Sequence, residues 1–163
     1  MSNMNAPKGR GETWVAAQAV LLAAIALLPP NMFGIPRLPD WLRIPGLLLG
    51  FGGGILGLVS IRQLGTNLTA FPRPKEDATL VESGAYSFVR HPIYSSLLLA
   101  CTGFSLLRSS TPSLILSVVL GLFFEQKARH EERWLVTKFA EYAAYKQRVP
   151  GRILPGLRAK SEE

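Results

Sequence analysis

Two clusters of the chain hold residue types that can do chemistry at short range. The first is Arg90-His91-Pro92-Ile93-Tyr94, which begins an apolar run. Proline suits the first turn of a helix. Arg90 and His91 are therefore expected at a helix N-terminus, where free N–H groups attract anions. A forked guanidinium beside them makes a seat for a ligand carboxylate. The second cluster is Glu125-Gln126-Lys127-Ala128-Arg129-His130-Glu131-Glu132-Arg133. Its two adjacent carboxylates suit ribose hydroxyls or a cationic ligand. Each cluster also has a plainer reading. Arg90 can sit on lipid headgroups, with Tyr86 and Tyr94 in an interfacial aromatic belt. The second cluster can be a solvated helix face, with 125/129 and 127/131 as i,i+4 pairs.

The elements that position these clusters are legible in the apolar blocks. Of 163 residues 48% are hydrophobic, yet the net charge is +7. Both hold because the apolar residues lie in blocks and the charges between them, as in a polytopic membrane protein. Four blocks are expected to be helices: about 14–28, 44–61, 93–107 and 112–124. The first has basic flanks like a signal peptide, but Pro29-Pro30 follows without a small-x-small site, so a retained helix is expected. The six glycines from Gly46 to Gly57 predict a close-packing helix face. A phosphate loop would need Lys and Ser or Thr directly after them, and these are missing. The single cysteine, Cys101, lies in an apolar block. It makes neither an intrachain disulfide nor a multi-cysteine metal site, and no metal is expected. The basic residues flank apolar blocks, so their expected partner is anionic lipid rather than nucleic acid.

Charge also predicts orientation. The stretches 62–92 and 125–163 carry most of the Lys and Arg. The positive-inside rule puts both on the cytoplasmic side, with the N-terminus near Lys8 and Arg10. Arg37 and Arg43 run against this. The expected fold is an all-α, polytopic membrane helix bundle, one domain over 1–163, with a cytoplasmic-facing C-terminal helical region. Its chemistry must come from about 62–94 and 125–155. The fourth block is expected to continue as a helix through the second cluster. Tyr142 and Tyr145 share a helix face, predicting an interfacial amphipathic helix that ends at Pro150.

The order of the motifs is more specific than any one of them. Gly84 and Tyr86, then Arg90-His91-Pro92 and Tyr94, then Glu131-Glu132 and Leu135, then Phe139, Tyr142 and Tyr145, then Arg148-Val149-Pro150, resemble the isoprenylcysteine carboxyl methyltransferases. The phospholipid N-methyltransferases are relatives of that family. The resemblance covers roughly residues 62–155. It implies a methyltransferase that uses S-adenosylmethionine, with a lipophilic or lipid-modified acceptor in the bilayer. It implies cofactor contacts at Thr79, Leu80, Val81, Tyr86, His91, Pro92, Ile93, Tyr94 and Glu131. The basic residue one turn before Glu131 is implied to face the acceptor. That is Lys127, where the family often has Arg, and Arg129 is the alternative. One departure is in the tail, where Ala140 replaces a usual Gly and Tyr142 comes one residue early, so the local helix phase is expected to differ. Carboxyl O-methylation is the leading expectation. Methylation of a phospholipid amine or a small thiol is the second. A related membrane reductase, binding a nicotinamide nucleotide, and a non-enzymatic membrane protein are the remaining readings.

Overall fold

A computed structural model describes residues 11–156. The basic flank at Lys8 and Arg10 and the tail at Arg158 and Lys160 lie outside the described residues. Five α-helices run in order: α1 (Glu12–Leu27), α2 (Arg43–Leu64), α3 (Pro92–Leu107), α4 (Thr111–Lys138) and α5 (Tyr142–Arg148). Among the described residues there is no strand. The four expected apolar helices are present, and α4 continues through the charged cluster.

Helix lengths set what each can do in a bilayer. Among the described residues, the helical stretch Asp40–Asn67, 28 residues with a segment of mean hydropathy 1.9, is the one long and apolar enough to cross a membrane by length and composition. Helices α1 and α3 are apolar but have 16 residues each, about 24 Å at 1.5 Å per residue, against a hydrocarbon core of about 30 Å. Helix α4 has 28 residues, apolar to Phe124 and charged beyond it.

Glycine brings α2 against α3. A Cβ on Gly53 would stand 2.7 Å from the Ala100 backbone nitrogen, and one on Gly103 would stand 2.3 Å from that of Gly50. Only hydrogen fits there, so the backbones meet directly. The expected packing face is thus narrower than the glycine run. Gly46, Gly53 and Gly57 meet α3 atoms, whereas Gly52 and Gly54 face open space.

Serine and arginine tie the opposite end. Ser105, Ser109, Ser110, Ser113 and Ser117 are buried, and each is hydrogen-bonded. Ser110 caps α4 by accepting from the Ser113 amide at 3.3 Å. Ser113 Oγ donates to the Ile25 carbonyl at 3.0 Å, joining α4 to α1. Arg108 donates to the Ala26 carbonyl at 2.6 Å, completing the end of α1. Arg43 pairs with Asp40 at 2.8 Å, and Arg37 donates to the Arg108 carbonyl. The two arginines that opposed the charge argument are therefore engaged in local structure.

Two expectations fail. Helix α5 does not lie as an amphipathic interfacial helix. Tyr142 and Tyr145 are 1% and 2% exposed, edge to face at 5.6 Å, and packed with Leu80, Leu135 and Phe139. Tyrosine rings bury large area when the hydroxyl finds a partner, and Tyr145 donates to the Tyr86 carbonyl at 2.6 Å. Nor does Arg90 anchor on headgroups, since it is 4% exposed.

Candidate functional site

The site is built where the two polar stretches meet. Pro92 opens α3, as its fixed φ favours, and His91 is the N-cap. The amides of Arg90 and His91 are not free: they donate to the Gly151 and Arg152 carbonyls at 3.0 and 2.9 Å. Ser95 Oγ donates to the Ile153 carbonyl at 2.5 Å. The tail after α5 thus lies against the entry to α3 and fixes its two key side chains.

The turn before them is fixed from α2. Gly84 has φ 62°, and a Cβ there would stand 1.9 Å from Gln63 Nε2. The amide of Ala85 donates to Gln63 Oε1 at 2.9 Å. Farther up the chain, Asn67 holds Thr79, accepting from its amide at 3.0 Å and donating to its hydroxyl at 3.3 Å. Lys138 of α4 donates to the Lys75 and Glu76 carbonyls. The exposed loop is therefore pinned at both ends.

These elements line a cavity open to solvent on one side, with about 770 Å³ of free space when the open solvent is included. Its lining includes Thr79, Leu80, Val81, Tyr86, His91, Ile93, Tyr94 and Glu131 of the expected contacts. Arg90, Asn67, Tyr142 and Tyr145 line it as well. Pro92 is buried behind it as the start of α3. Lys127 and Arg129 do not line it. Lys127 is 2% exposed and points toward α1. Arg129 is exposed and pairs with Glu125 at 3.2 Å.

Glu132 is the electrostatic hub behind the cavity. Its carboxylate accepts from Arg90 Nε at 2.8 Å and from Arg152 Nη2 at 3.2 Å. His91 Nε2 stands 3.4 Å away. Burial pushes the Glu132 carboxyl up, but contact with His91 and the hydrogen bonds from Arg152 and Arg90 outweigh it and hold it well below the usual carboxylate range. Glu131 differs. It accepts from the Tyr94 hydroxyl at 2.9 Å, and its pKa is raised because burial outweighs the nearby His91, Tyr94 and Lys127. Adjacent carboxylates are thus split: Glu132 binds the scaffold, and Glu131 faces the cavity.

Among the described residues four buried side-chain atoms have no hydrogen-bond partner: Arg90 Nη2, His91 Nε2, the Tyr142 hydroxyl and Arg152 Nε, of which His91 Nε2 and Arg152 Nε face the Glu132 carboxylate at 3.4 and 3.2 Å. Buried groups of this kind are expensive unless something meets them. Arg152 does not line the cavity, but Arg90, His91 and Tyr142 do. Together with Glu131 they offer donors for a carboxylate and an acceptor for an ammonium or a diol. Aromatic and aliphatic walls complete the site. The residues present therefore fit S-adenosylmethionine, which joins an amino acid, a sulfonium, a ribose and an adenine.

Sequence reasoning missed three participants. Arg152 was visible only as one more basic tail residue, yet it is 8% exposed and bound to Glu132. Asn67 carried no signal beyond following the Gly65 turn. Gln18 did carry one, as a lone amide inside the apolar run of α1.

Comparison with known proteins agrees with this architecture. The family model for phospholipid methyltransferase matches residues 41–142, more than half of the chain. Protein-S-isoprenylcysteine O-methyltransferase B of Arabidopsis thaliana is 31% identical over 143 residues, covering 84% of this chain and 72% of that protein. The cobalt-zinc-cadmium resistance protein CzcN of Cupriavidus metallidurans is 31% identical, covering 76% of this chain and 56% of that one. The protein-S-isoprenylcysteine O-methyltransferase of Schizosaccharomyces pombe is 36% identical over 59% of this chain, which spans 41% of it. The chain thus spans about half the length of several relatives. The structure of a eukaryotic intramembrane Ras methyltransferase superposes with TM-score 0.67 at 22% identity, over 91% of this chain and 53% of that one. The shared helical fold and these sequence matches place the chain in the phospholipid methyltransferase family, alongside the isoprenylcysteine O-methyltransferases.

Proposed function

We propose that this protein transfers a methyl group from S-adenosylmethionine to a lipophilic acid at the membrane surface, an isoprenylcysteine-like carboxylate being the leading acceptor. When bound, S-adenosylmethionine supplies an electrophilic methyl: an acceptor oxygen forms the new C–O bond while the C–S bonding pair returns to sulfur. A carboxylate acceptor is anionic at neutral pH and needs no general base. The protein's work is then positioning. Arg90 Nη2 and the Tyr142 hydroxyl hold the amino-acid carboxylate end, with His91 beside them. Glu131, oriented by Tyr94, takes the ammonium or ribose hydroxyls. Thr79, Leu80 and Val81 cover the nucleoside from the loop. The cavity and its acceptor-binding flank face the cytoplasm, with α1 to α4 as spans.

The observation that carries this reading is the cavity that Arg90, His91 and Tyr142, each with a buried polar atom lacking a hydrogen-bond partner, line together with Glu131. Calorimetric titration of detergent-purified protein with S-adenosylhomocysteine tests it. Glu131→Gln and His91→Ala should each weaken binding by about 1.5–3 kcal/mol, as when a hydrogen bond to a charged group is lost. Binding of a nicotinamide nucleotide in its place would overturn the reading. Methyl transfer to N-acetyl-S-farnesylcysteine, set against vesicles containing phosphatidylethanolamine, separates an acid from an amine acceptor.

A further inference from the structure

The strap that runs from Gly65 to Ser83, between α2 and the Gly84 turn, is fastened at several points. Lys75 Nζ donates to the Thr66 carbonyl at 2.6 Å. Lys127 Nζ, which donates to Gln18 Oε1 of α1 at 2.6 Å, also reaches the Ala70 carbonyl at 3.4 Å. Lys138 grips the Lys75 and Glu76 carbonyls. These contacts hold the strap's backbone. The Asn67–Thr79 pair does something more, because its two bonds fix the polarity of a side-chain hydroxyl.

A backbone amide can only donate. The Asn67 atom 3.0 Å from the Thr79 amide is therefore the carbonyl oxygen, which leaves Nδ2 as the atom 3.3 Å from the Thr79 hydroxyl. Nδ2 only donates, so the hydroxyl oxygen is the acceptor in that bond. A hydroxyl has one proton to give, and Asn67 cannot take it. Among the described residues no other group bonds the Thr79 hydroxyl. Its proton is left for a partner outside the protein, and both residues line the cavity.

The surroundings indicate the kind of acceptor. Pro74, Ala78 and Leu80 of the strap line the cavity with Leu64, Leu135 and Phe139. Leu80 packs with Leu135 and Phe139. The charged lining groups lie elsewhere, Arg90 and His91 at the entry to α3 and Glu131 one turn before Leu135 on α4. A ligand's ionic end belongs with those charges. An uncharged flat ring belongs against the apolar walls, where a hydroxyl donor fixes its orientation.

We propose that Asn67 is a positioning residue that sets the Thr79 hydroxyl as a donor, and that this donor recognises a ring nitrogen of the bound nucleoside's base. This rests on the methyltransferase reading above and adds the recognition of the base to it.

The test is calorimetric titration of the detergent-purified full chain with S-adenosylhomocysteine and with its 1-deaza, 3-deaza and 7-deaza analogues. Each analogue replaces one ring nitrogen by C–H. One of them should bind wild type about tenfold more weakly than the parent, as when a donor loses its acceptor. Thr79→Val should bind that analogue and the parent alike. Equal binding of all the analogues to wild type overturns the proposal, and so does undiminished discrimination in Thr79→Val. Asn67→Asp adds a second arm. A carboxylate still accepts from the Thr79 amide, but it also captures the hydroxyl proton and reverses the polarity. Asn67→Asp should weaken S-adenosylhomocysteine binding about tenfold, against about threefold for Asn67→Ala. A merely structural clamp predicts the reverse order, because the carboxylate keeps both contacts, and that order overturns the proposal. In a Thr79→Val background Asn67→Asp should cost little more, since the two residues act as a unit. A full further loss there marks repulsion by the added charge and overturns the assigned role. Should Asn67→Asp not fold, the analogue series on wild type and Thr79→Val decides alone. Wild-type protein that binds S-adenosylhomocysteine without discriminating the analogues leaves the methyltransferase reading standing, whereas failure to bind it at all overturns that reading as well.

Discussion

At the scale of single residues, Glu132 joins parts of the chain that are far apart in sequence. Arg90 precedes α3, Arg152 follows α5, and both bond the same carboxylate on α4. Removing that charge leaves two buried guanidiniums facing each other. Glu132→Gln should therefore destabilise the folded protein by about 3–5 kcal/mol, the range for breaking a buried pair. The pH dependence has a definite sign. A carboxyl held low in the folded state contributes stability above its unfolded-state pKa and loses it as the pH falls through the folded one. The gap between wild type and Glu132→Gln should be full at neutral pH, begin to narrow as the pH falls through the ordinary glutamate range, and go on narrowing into stronger acid. Thermal unfolding in detergent across a pH series measures it. A gap that stays constant with pH through the ordinary glutamate range and below would return Glu132 to the solvated helix face that its charged neighbours suggest.

At the scale of elements, glycine and tyrosine show what a linear pattern carries. The run from Gly46 to Gly57 announces close packing, but not its phase, because six small residues in one turn-rich stretch fit several helix rotations. The partner settles it: Gly103 of α3 seats against Gly50 and Gly46, and Gly53 against Ala100 and Ser96. Gly103→Leu or Gly53→Leu should cost about 3 kcal/mol, the upper end for overpacking, because the atoms met are backbone and cannot swing aside. Gly52→Leu and Gly54→Leu point into open space and should unfold within about 0.5 kcal/mol of wild type, as surface changes do. Equal losses at all four positions would sink this assignment of faces. Tyr142 and Tyr145 teach the same lesson differently. Their spacing correctly gives one shared face, but the sequence has no term for the Leu80 and Leu135 surface that turns that face inward. Eight of the nine expected cofactor residues line the cavity because their motifs are local in sequence. Arg152 and Gln18 escaped because their roles exist only across tertiary contacts.

At the scale of the whole molecule, the two ends of the bundle differ in chemistry. One end holds the cavity, the charge hub and the loop grip of Lys138. The other holds the serine ladder and the Asp40–Arg43 pair, where the basic side chains are occupied by local acceptors. The positive-inside rule counts basic residues near the ends of spans, and the cavity end carries the excess: Arg62, Arg73, Lys75, Arg129, Arg133, Lys138, Lys146 and Arg148. The four-span arrangement with that end in the cytoplasm follows as an expectation. Two exposed positions report the two ends, Asp77 in the cavity loop and Asn31 between α1 and α2. In a Cys101→Ala background, Asn31→Cys should react with a membrane-impermeant maleimide on intact cells, while Asp77→Cys should react only after permeabilisation. The same pair leaves span number open, because α1 and α3 are short for the hydrocarbon core. If either helix merely lay in the interface, Asn31 and Asp77 would still be separated by α2. An added reporter at Thr137, exposed near the end of α4, closes that gap. With four spans Thr137→Cys must behave like Asp77→Cys, since α3 and α4 cross and return. Labelling of Thr137→Cys from outside intact cells would place the two halves of the cavity on opposite sides of the membrane. That outcome is incompatible with the Arg90–Glu132 contact, and would overturn the topology.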